Sequence, residues 1–455
     1  MKAIRVINII LLFVVLLMEN STHAEEYAYT ELLPSGWTRV YPEGINSKGD
    51  IVGWGYGADD IEKVFIYSNG NYTEFLIPGP PEMKAFSINE DSDVVGFVGD
   101  YRTYRGFIYN KGAYIEVVPP DFTWAALQAI NNKGVAVGFG GPKGSTGSAG
   151  FLYEKGVNTK LLAPGWITSM ALNINDGGKV VGQFSDSSGT RGFLYTGGKF
   201  TDLLPSDWDS SWSEAVDINN KGFVIGSGAK SGNNRGYLYD GKDYKEIAPP
   251  GWSCINLNAI NDSGEIVGNG CDAKGVYGAF IYSGGTYRIL ELPDFFVEAF
   301  NQTLTATNIN NAGIIIGYGL IAPGKIGGYI ATPVPDLTGS WTTPVTQNCK
   351  TTTRGQKCTL KGTLTIENIG IRDASSTYVN FYLSDNGNFD QTDTPLKPFS
   401  TGKLKAGKSK SIKLNYNLPT GISASGKYVI GVIDPDNLVA EANESNNIVV
   451  YGLIP

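Results

Sequence analysis

Residues 174–208 contain Ile174-Asn175-Asp176-Gly177-Gly178-Lys179-Val180-Val181-Gly182, then Phe193-Leu194-Tyr195, then Gly197-Gly198 and Phe200-Thr201-Asp202-Leu203-Leu204-Pro205-Ser206-Asp207-Trp208. Asn-x-x-Gly between two apolar runs signals a hairpin, because Asn and Gly tolerate the left-handed backbone that tight turns require. The Gly-Gly pair marks a second turn, so the stretch encodes four short strands. The pattern recurs. Ile-Asn pairs begin at Ile45, Ile88, Ile130, Ile174, Ile218, Ile260 and Ile309, with a mean spacing of 44 residues. Gly stands three positions after each Asn except at Ser92, and a second Gly follows at 53, 96, 138, 182, 226, 268 and 317. Third strands recur as Phe65-Ile66-Tyr67, Phe107-Ile108-Tyr109, Phe151-Leu152-Tyr153, Tyr237-Leu238-Tyr239 and Phe280-Ile281-Tyr282. Four-stranded repeats of about 40–50 residues are the pattern of β-propeller blades. A β-solenoid has shorter coils and needs capped ends.

The termini favour the ring. The seventh repeat stops after its third strand, where Thr332-Pro333-Val334-Pro335 replaces the fourth. The missing strand stands at the other end of the domain: Tyr29-Thr30-Glu31-Leu32-Leu33-Pro34-Ser35-Gly36-Trp37 matches residues 200–208. An N-terminal strand completing the last blade leaves no long edge exposed. The expectation is an all-β chain, with a seven-bladed β-propeller at 25–333 closed by its N-terminal strand. Over residues 27–333 the repeats resemble the HAF-type extracellular repeat, A-x-x-I-N-x-x-G-x-V-V-G followed by A/G-F-L-Y-x-x-G. The resemblance implies secretion and binding, and no known reaction.

Beyond Pro335 the period is lost. Strand-like runs at 358–367, 378–384, 411–418, 428–433 and 447–452 suit an immunoglobulin-like β-sandwich over 334–455. The order Pro335-Asp336-Leu337, Leu364-Thr365-Ile366-Glu367-Asn368, Val379-Asn380-Phe381-Tyr382-Leu383-Ser384, Gly426-Lys427-Tyr428-Val429-Ile430 and Glu441-Ala442-Asn443-Glu444-Ser445-Asn446-Asn447 resembles the CARDB family of bacterial domains. That resemblance implies an accessory adhesion or surface-display module.

At the other end, Lys2 and Arg5 precede an apolar run from Ile9 to Met18, followed by Thr22-His23-Ala24. Residues 1–24 read as a cleavable signal peptide, because ten apolar residues fall short of the ~20 that span a bilayer. No later segment reads as a membrane span. His23 is the single histidine of the chain. A mature protein without it has no imidazole chemistry, which excludes Ser-His-Asp and Cys-His nucleophiles and HExxH zinc sites. Loss of Lys2, Arg5 and Glu19 takes the formal net charge from −8 to −9, which argues against nucleic acid as a partner. The expected location is bacterial and extracytoplasmic: periplasmic, secreted or at the cell surface. Cys254 with Cys271, and Cys349 with Cys358, form local pairs expected to oxidise there. With Asp262-Ser263 as a two-residue loop, Cys254 and Cys271 face each other across the hairpin.

Six tryptophans, Trp37, Trp124, Trp166, Trp208, Trp212 and Trp252, together with Phe295, fall in or beside the loops linking successive repeats. Exposed on one face, such rings would offer a platform for sugars or an extended chain. Their recurrence in nearly every repeat favours the plainer role of packing. The turn at 384–393, with Asp385, Asn388, Asp390 and Asp393, offers oxygen ligands suited to Ca²⁺, although Leu396 stands where an EF-hand loop has Glu. Asx-rich turn chemistry is the competing reading. Altogether the expectation is a secreted, monomeric, non-catalytic protein that binds carbohydrate or a surface protein, with no cofactor apart from that Ca²⁺. The alternatives are a polysaccharide-acting glycosidase or lyase that uses carboxylates or Tyr, and a structural surface spacer.

Overall fold

The computed structural model describes residues 27–75, 82–100, 103–209, 212–297, 304–353 and 355–455. The expected signal peptide lies outside them. The chain divides into two compact parts, Tyr29–Pro333 and Val334–Pro455. Apart from one turn of 3-10 helix at Glu444–Asn446, every regular element among the described residues is a strand.

In the first part each repeat forms an antiparallel four-strand meander, as in Trp37–Ile45, Ile51–Gly57, Glu62–Ser68 and Asn71–Phe75. The first strands of the other repeats are Met83–Ile88, Phe122–Ile130, Thr168–Ile174, Ser213–Ile218, Ser253–Ile260 and Leu304–Ile309. Repeat 7 has three strands of its own, and Tyr27–Leu32 pairs with the last of them, Lys325–Pro333. A single parallel pair, Arg39 with Ile326, joins the sheets of repeats 7 and 1.

The Asn of each Ile-Asn pair holds the repeats together. Its side chain is buried, with 3–5% exposure in all seven repeats. Nδ2 donates to the backbone carbonyl of the same Asn in the next repeat: Asn46 to Asn89, Asn89 to Asn131, Asn131 to Asn175, Asn175 to Asn219, Asn219 to Asn261 and Asn261 to Asn310, at 2.9–3.2 Å. Asn310 then donates to the carbonyl of Asn46 at 3.0 Å. Meanwhile Oδ1 clamps its own turn, as Asn131 does by accepting from Lys133 and Val135 N–H, both at 3.0 Å. This corrects the turn chemistry expected from sequence: Asn is there for its buried amide. The left-handed residue is the Gly three positions later, with φ of +73° to +86°, and Ser92 takes that slot at +64°.

A bulge follows at the same place in every first strand, for instance between Pro42 and Gly44 and between Ala215 and Asp217. The second Gly of the motif lies against it. A Cβ on Gly182 would stand 1.9 Å from the carbonyl oxygen of Met170. Only Gly permits that approach.

The hairpin loop of repeat 6 is longer than expected. Asn261 N–H donates to Glu265 O, and Ile260 pairs with Ile266. Bulges later shift the register so that Ser253, and not Cys254, opposes Cys271. The Cys254–Cys271 disulfide forms nonetheless, with Cα atoms 5.6 Å apart and Cys254 at φ +46°.

The second part packs a three-stranded sheet (Leu337–Thr352, Gly355–Asn368, Lys408–Asn417) against a four-stranded one (Thr394–Leu404, Ala374–Ser384, Tyr428–Ile433, Ile448–Tyr451). Leu364, Ile366, Phe381, Ile412 and Val429 are buried in its core. The first and fourth of its strands in chain order were not read from sequence, because their Thr-, Lys- and Pro-rich runs lack alternation. Cys349 and Cys358 are cross-strand partners and are disulfide-bonded.

Candidate binding surface

The loop aromatics fill the sheets. Trp37 and Trp208 are buried, and Trp252 is half-buried against the core of repeat 6. All three make edge contacts to the third-strand rings Phe65, Tyr237 and Phe280, at 5.7–5.8 Å. In repeats 3 and 7 the same place is taken by Phe122 and Phe296, against Phe151 and Tyr329. The hole each ring fills is made by a second-strand Gly: a Cβ on Gly55, Gly140, Gly228, Gly270 or Gly319 would stand 2.7–3.1 Å from the ring. Repeat 4 has Phe184 there instead, and Trp166 stacks on it at 3.8 Å. Phe295 is half-buried against Phe296 at 4.6 Å, and the backbone of Trp212 bridges Thr190. The sequence therefore grouped rings that do not form one exposed face.

Trp124 differs, because it sits two residues into its first strand and leads to another surface. First strands of neighbouring repeats adjoin one another: Asn308 Nδ2 donates to Glu43 O, Thr307 Oγ1 to Pro42 O, and Ile260 N–H to Asp217 Oδ2. Side chains alternate along them. Val40, Pro42 and their counterparts are buried, whereas Tyr41 and Glu43 are half-buried on the opposite side. On that side one cross-strand pair per repeat occupies equivalent register: Tyr41 with Trp54, Lys84 with Phe97, Ala126 with Phe139, Met170 with Gln183, Glu214 with Ser227, Asn256 with Asn269 and Thr305 with Tyr318. The motif around these positions barely changes from repeat to repeat, yet here the residues differ every time.

The variation is polarised. Repeats 7, 1, 2 and 3 carry aromatics. Tyr318 meets Tyr41 edge-on at 5.1 Å, Tyr41 stacks on Trp54 at 4.3 Å, and Lys84 Nζ lies over Trp54 at 3.8 Å. The run continues through Phe86, Phe97, Tyr104, Trp124 and Phe139, with successive centroids 4.2–6.4 Å apart. Repeats 4, 5 and 6 present Met170, Gln183, Glu214 and Asn256, all half-buried.

Glu43, thrown out by its bulge, accepts from Trp54 Nε1 at 3.0 Å. Burial raises its carboxyl to about 7, against the pull of that hydrogen bond and of Lys84. Burial also raises Glu214, Tyr41 and Tyr318. Asp217 is raised by burial to about 6 despite N–H donors from Ile260 and Ile218, and with Asn173 it ties three repeats together. Chemically the arrangement offers flat apolar faces beside one ammonium and one carboxyl, a set suited to stacking and hydrogen bonding. The sequence reading missed Tyr41, Glu43, Trp54, Lys84 and Tyr318. The signal was present as a variable column inside an otherwise repeating motif.

The residues of the expected calcium turn serve local needs. Asp385 pairs with Lys427 at 2.5 Å, Asp390 accepts from Thr392 and Asn386, and Asp393 accepts from Asp390 N–H. Asn388 N–H donates to Asn386 Oδ1. Hydrogen bonds from Thr392 lower the Asp390 carboxyl. No helix among the described residues is long and apolar enough to cross a membrane.

Residues 334–450 match the CARDB family model. No curated protein matches the chain. Among solved structures, a CARDB domain of a Pyrococcus furiosus protein in complex with di-metal ions is 22% identical, with 27% of this chain and 88% of that one covered, at a TM-score of 0.20. YCF48 bound to D1 peptide is 11% identical, with 67% and 94% covered and a TM-score of 0.42. TolB from Acinetobacter baumannii is 13% identical, with 68% and 80% covered and a TM-score of 0.35.

Proposed function

We propose that the chain is an exported, non-catalytic binding protein whose first part is a closed seven-bladed β-propeller and whose CARDB domain is an accessory adhesion module. The Asn310-to-Asn46 hydrogen bond and the pairing of Tyr27–Leu32 with Lys325–Pro333 support closure. Two disulfides support an oxidising compartment. The observation that carries binding is the register position where the repeats differ, with aromatic rings in repeats 7, 1, 2 and 3 and none in the rest. The ligand class is a carbohydrate chain or a surface protein, laid on Tyr41, Trp54 and Tyr318. In the competing reading Glu43, with its raised carboxyl, acts as the acid of a polysaccharide-cleaving enzyme.

A glycan array and a surface-protein pull-down, run with the wild type and Trp54→Ala, test both. Binding that weakens in Trp54→Ala while bound polymers stay intact supports the first reading. Release of new reducing ends, abolished in Glu43→Gln, would replace it with the second. Equal binding by both proteins would show that Trp54 does not contact the ligand.

A further inference from the structure

One corner of the carboxy-terminal domain gathers oxygen atoms without enough donors. Asp336, at the entry to Leu337–Thr352, has no solvent exposure. Its Oδ1 accepts from Asn446 Nδ2 at 2.9 Å, and its Oδ2 is buried with no hydrogen-bond partner. Asn447 Nδ2 is shared, at 3.3 Å, between Glu441 Oε1 and Glu444 Oε2. The amide oxygens of Asn446 and Asn447 are likewise buried and unpartnered. Rotating either amide would not relieve this, since it would turn an oxygen toward a carboxylate. The carboxylates therefore fix both nitrogens and force both oxygens to stay unsatisfied. Glu441 takes one further donor, Leu337 N–H, and Glu444 takes Glu441 N–H. None of Asp336, Glu441 and Glu444 makes an ion pair with Lys or Arg among the described residues.

Buried acceptors left without donors call for a cation, and an all-oxygen set mixing carboxylates with amide carbonyls suits a hard divalent ion that tolerates irregular coordination. No three acidic, His or Cys side chains among the described residues form a metal-binding group by themselves, so the amide oxygens are essential to this set. We propose that this corner binds one Ca²⁺ ion through Asp336 Oδ2, the amide oxygens of Asn446 and Asn447, and the carboxylate of Glu444. The ion would tie the 441–447 segment to the first strand of the domain.

Calorimetric titration of the metal-stripped full chain with CaCl₂, paired with melting curves with and without the ion, tests this. The expected result is saturable binding and a raised melting temperature, with affinity reduced at least tenfold in Asp336→Asn and Glu444→Gln and unchanged in Asp390→Ala. Glu444 is exposed, so its variant keeps the test open should Asp336→Asn fail to fold. Binding lost in Asp390→Ala but kept in Glu444→Gln would move the ion to the 384–393 turn and overturn the proposal. Absence of binding up to about 10 mM CaCl₂, beyond the ~10⁻⁴–10⁻³ M range of extracellular calcium modules, would overturn it too.

Discussion

Two positions of the same first strands behave in opposite ways. The Asn that immediately follows each strand is the same residue in all seven repeats, is buried, and bonds to its successor. The residue five positions earlier is Tyr41, Lys84, Ala126, Met170, Glu214, Asn256 or Thr305. An amide with two acceptor bonds to its own turn and one donor bond to the next repeat has no isosteric substitute, since Asp lacks the donor and Leu lacks both functions. The variable position has no such duty and is free to differ. Repetition in this domain therefore records what holds successive repeats together, and departure from repetition marks positions that the packing leaves free for other chemistry.

The largest expected effect is at the ladder. Asn131→Ala strands three buried or half-buried backbone partners and should cost roughly 3–4 kcal/mol in urea unfolding. A loss under about 1 kcal/mol would mean that water replaces the amide and that the Asn position is little more constrained than the variable one.

The disulfide at the far end of one of these hairpins provides a second comparison. Removing Cys254 and Cys271 together, which bracket a separation of 17 residues, should lower stability by about 3 kcal/mol or less, without touching ligand binding. A larger loss than in Asn131→Ala would show that covalent closure outweighs the ladder.

At the variable position the balance should reverse. Trp54→Ala is expected to reduce ligand binding about tenfold or more, roughly 1.4 kcal/mol, while Met170→Ala on the polar side leaves it within about twofold. Equal losses in both would erase the difference between the two groups of repeats.

The smallest effect concerns pH. The folded-state carboxyl of Glu43 is raised from 4.5 to about 7, so its contribution to stability is fully present below pH 4.5 and lost as pH rises through 7. Between pH 5 and 7 the wild type should therefore lose about 1 kcal/mol more than Glu43→Gln, less than the full shift implies because the side chain is only half-buried. Parallel melting curves would contradict the burial of this carboxyl. Asp217 acts in the same direction at lower pH and is common to both proteins, so it cancels in the difference.

Much of the fold was legible from sequence, because turn Gly, apolar runs and third-strand aromatics are local signals that repetition amplifies. Strand pairing inside each repeat followed from Gly178, Gly182 and their counterparts. Two strands of the second domain were missed, since Leu337–Thr352 and Thr394–Leu404 carry polar and Pro residues that only sheet context accommodates. The recurrence of the loop rings pointed to packing, but the cavities that they fill were not legible. Tryptophan attracts attention in a sequence, yet Trp37 and Trp208 fill the holes left by Gly55 and Gly228, a complementarity between residues some twenty positions apart that no local pattern displays. Cysteine pairing was correct despite a register error, because the bulges that displaced Cys254 left its Cα within reach of Cys271.

By itself the sequence determined the strand content, the sevenfold period, the two-part organisation and the local Cys pairs, because each depends on residues close in the chain or on periodicity. Tertiary structure alone decided that Asn46 and Asn310 meet across 264 residues, that the cross-strand pairs at one register carry aromatics in repeats 7, 1, 2 and 3 and none in repeats 4, 5 and 6, and that Asp336 meets Asn446. These are contacts between side chains brought together by folding. Their chemistry depends on burial and on which donor faces which acceptor, and neither is written in the order of residues.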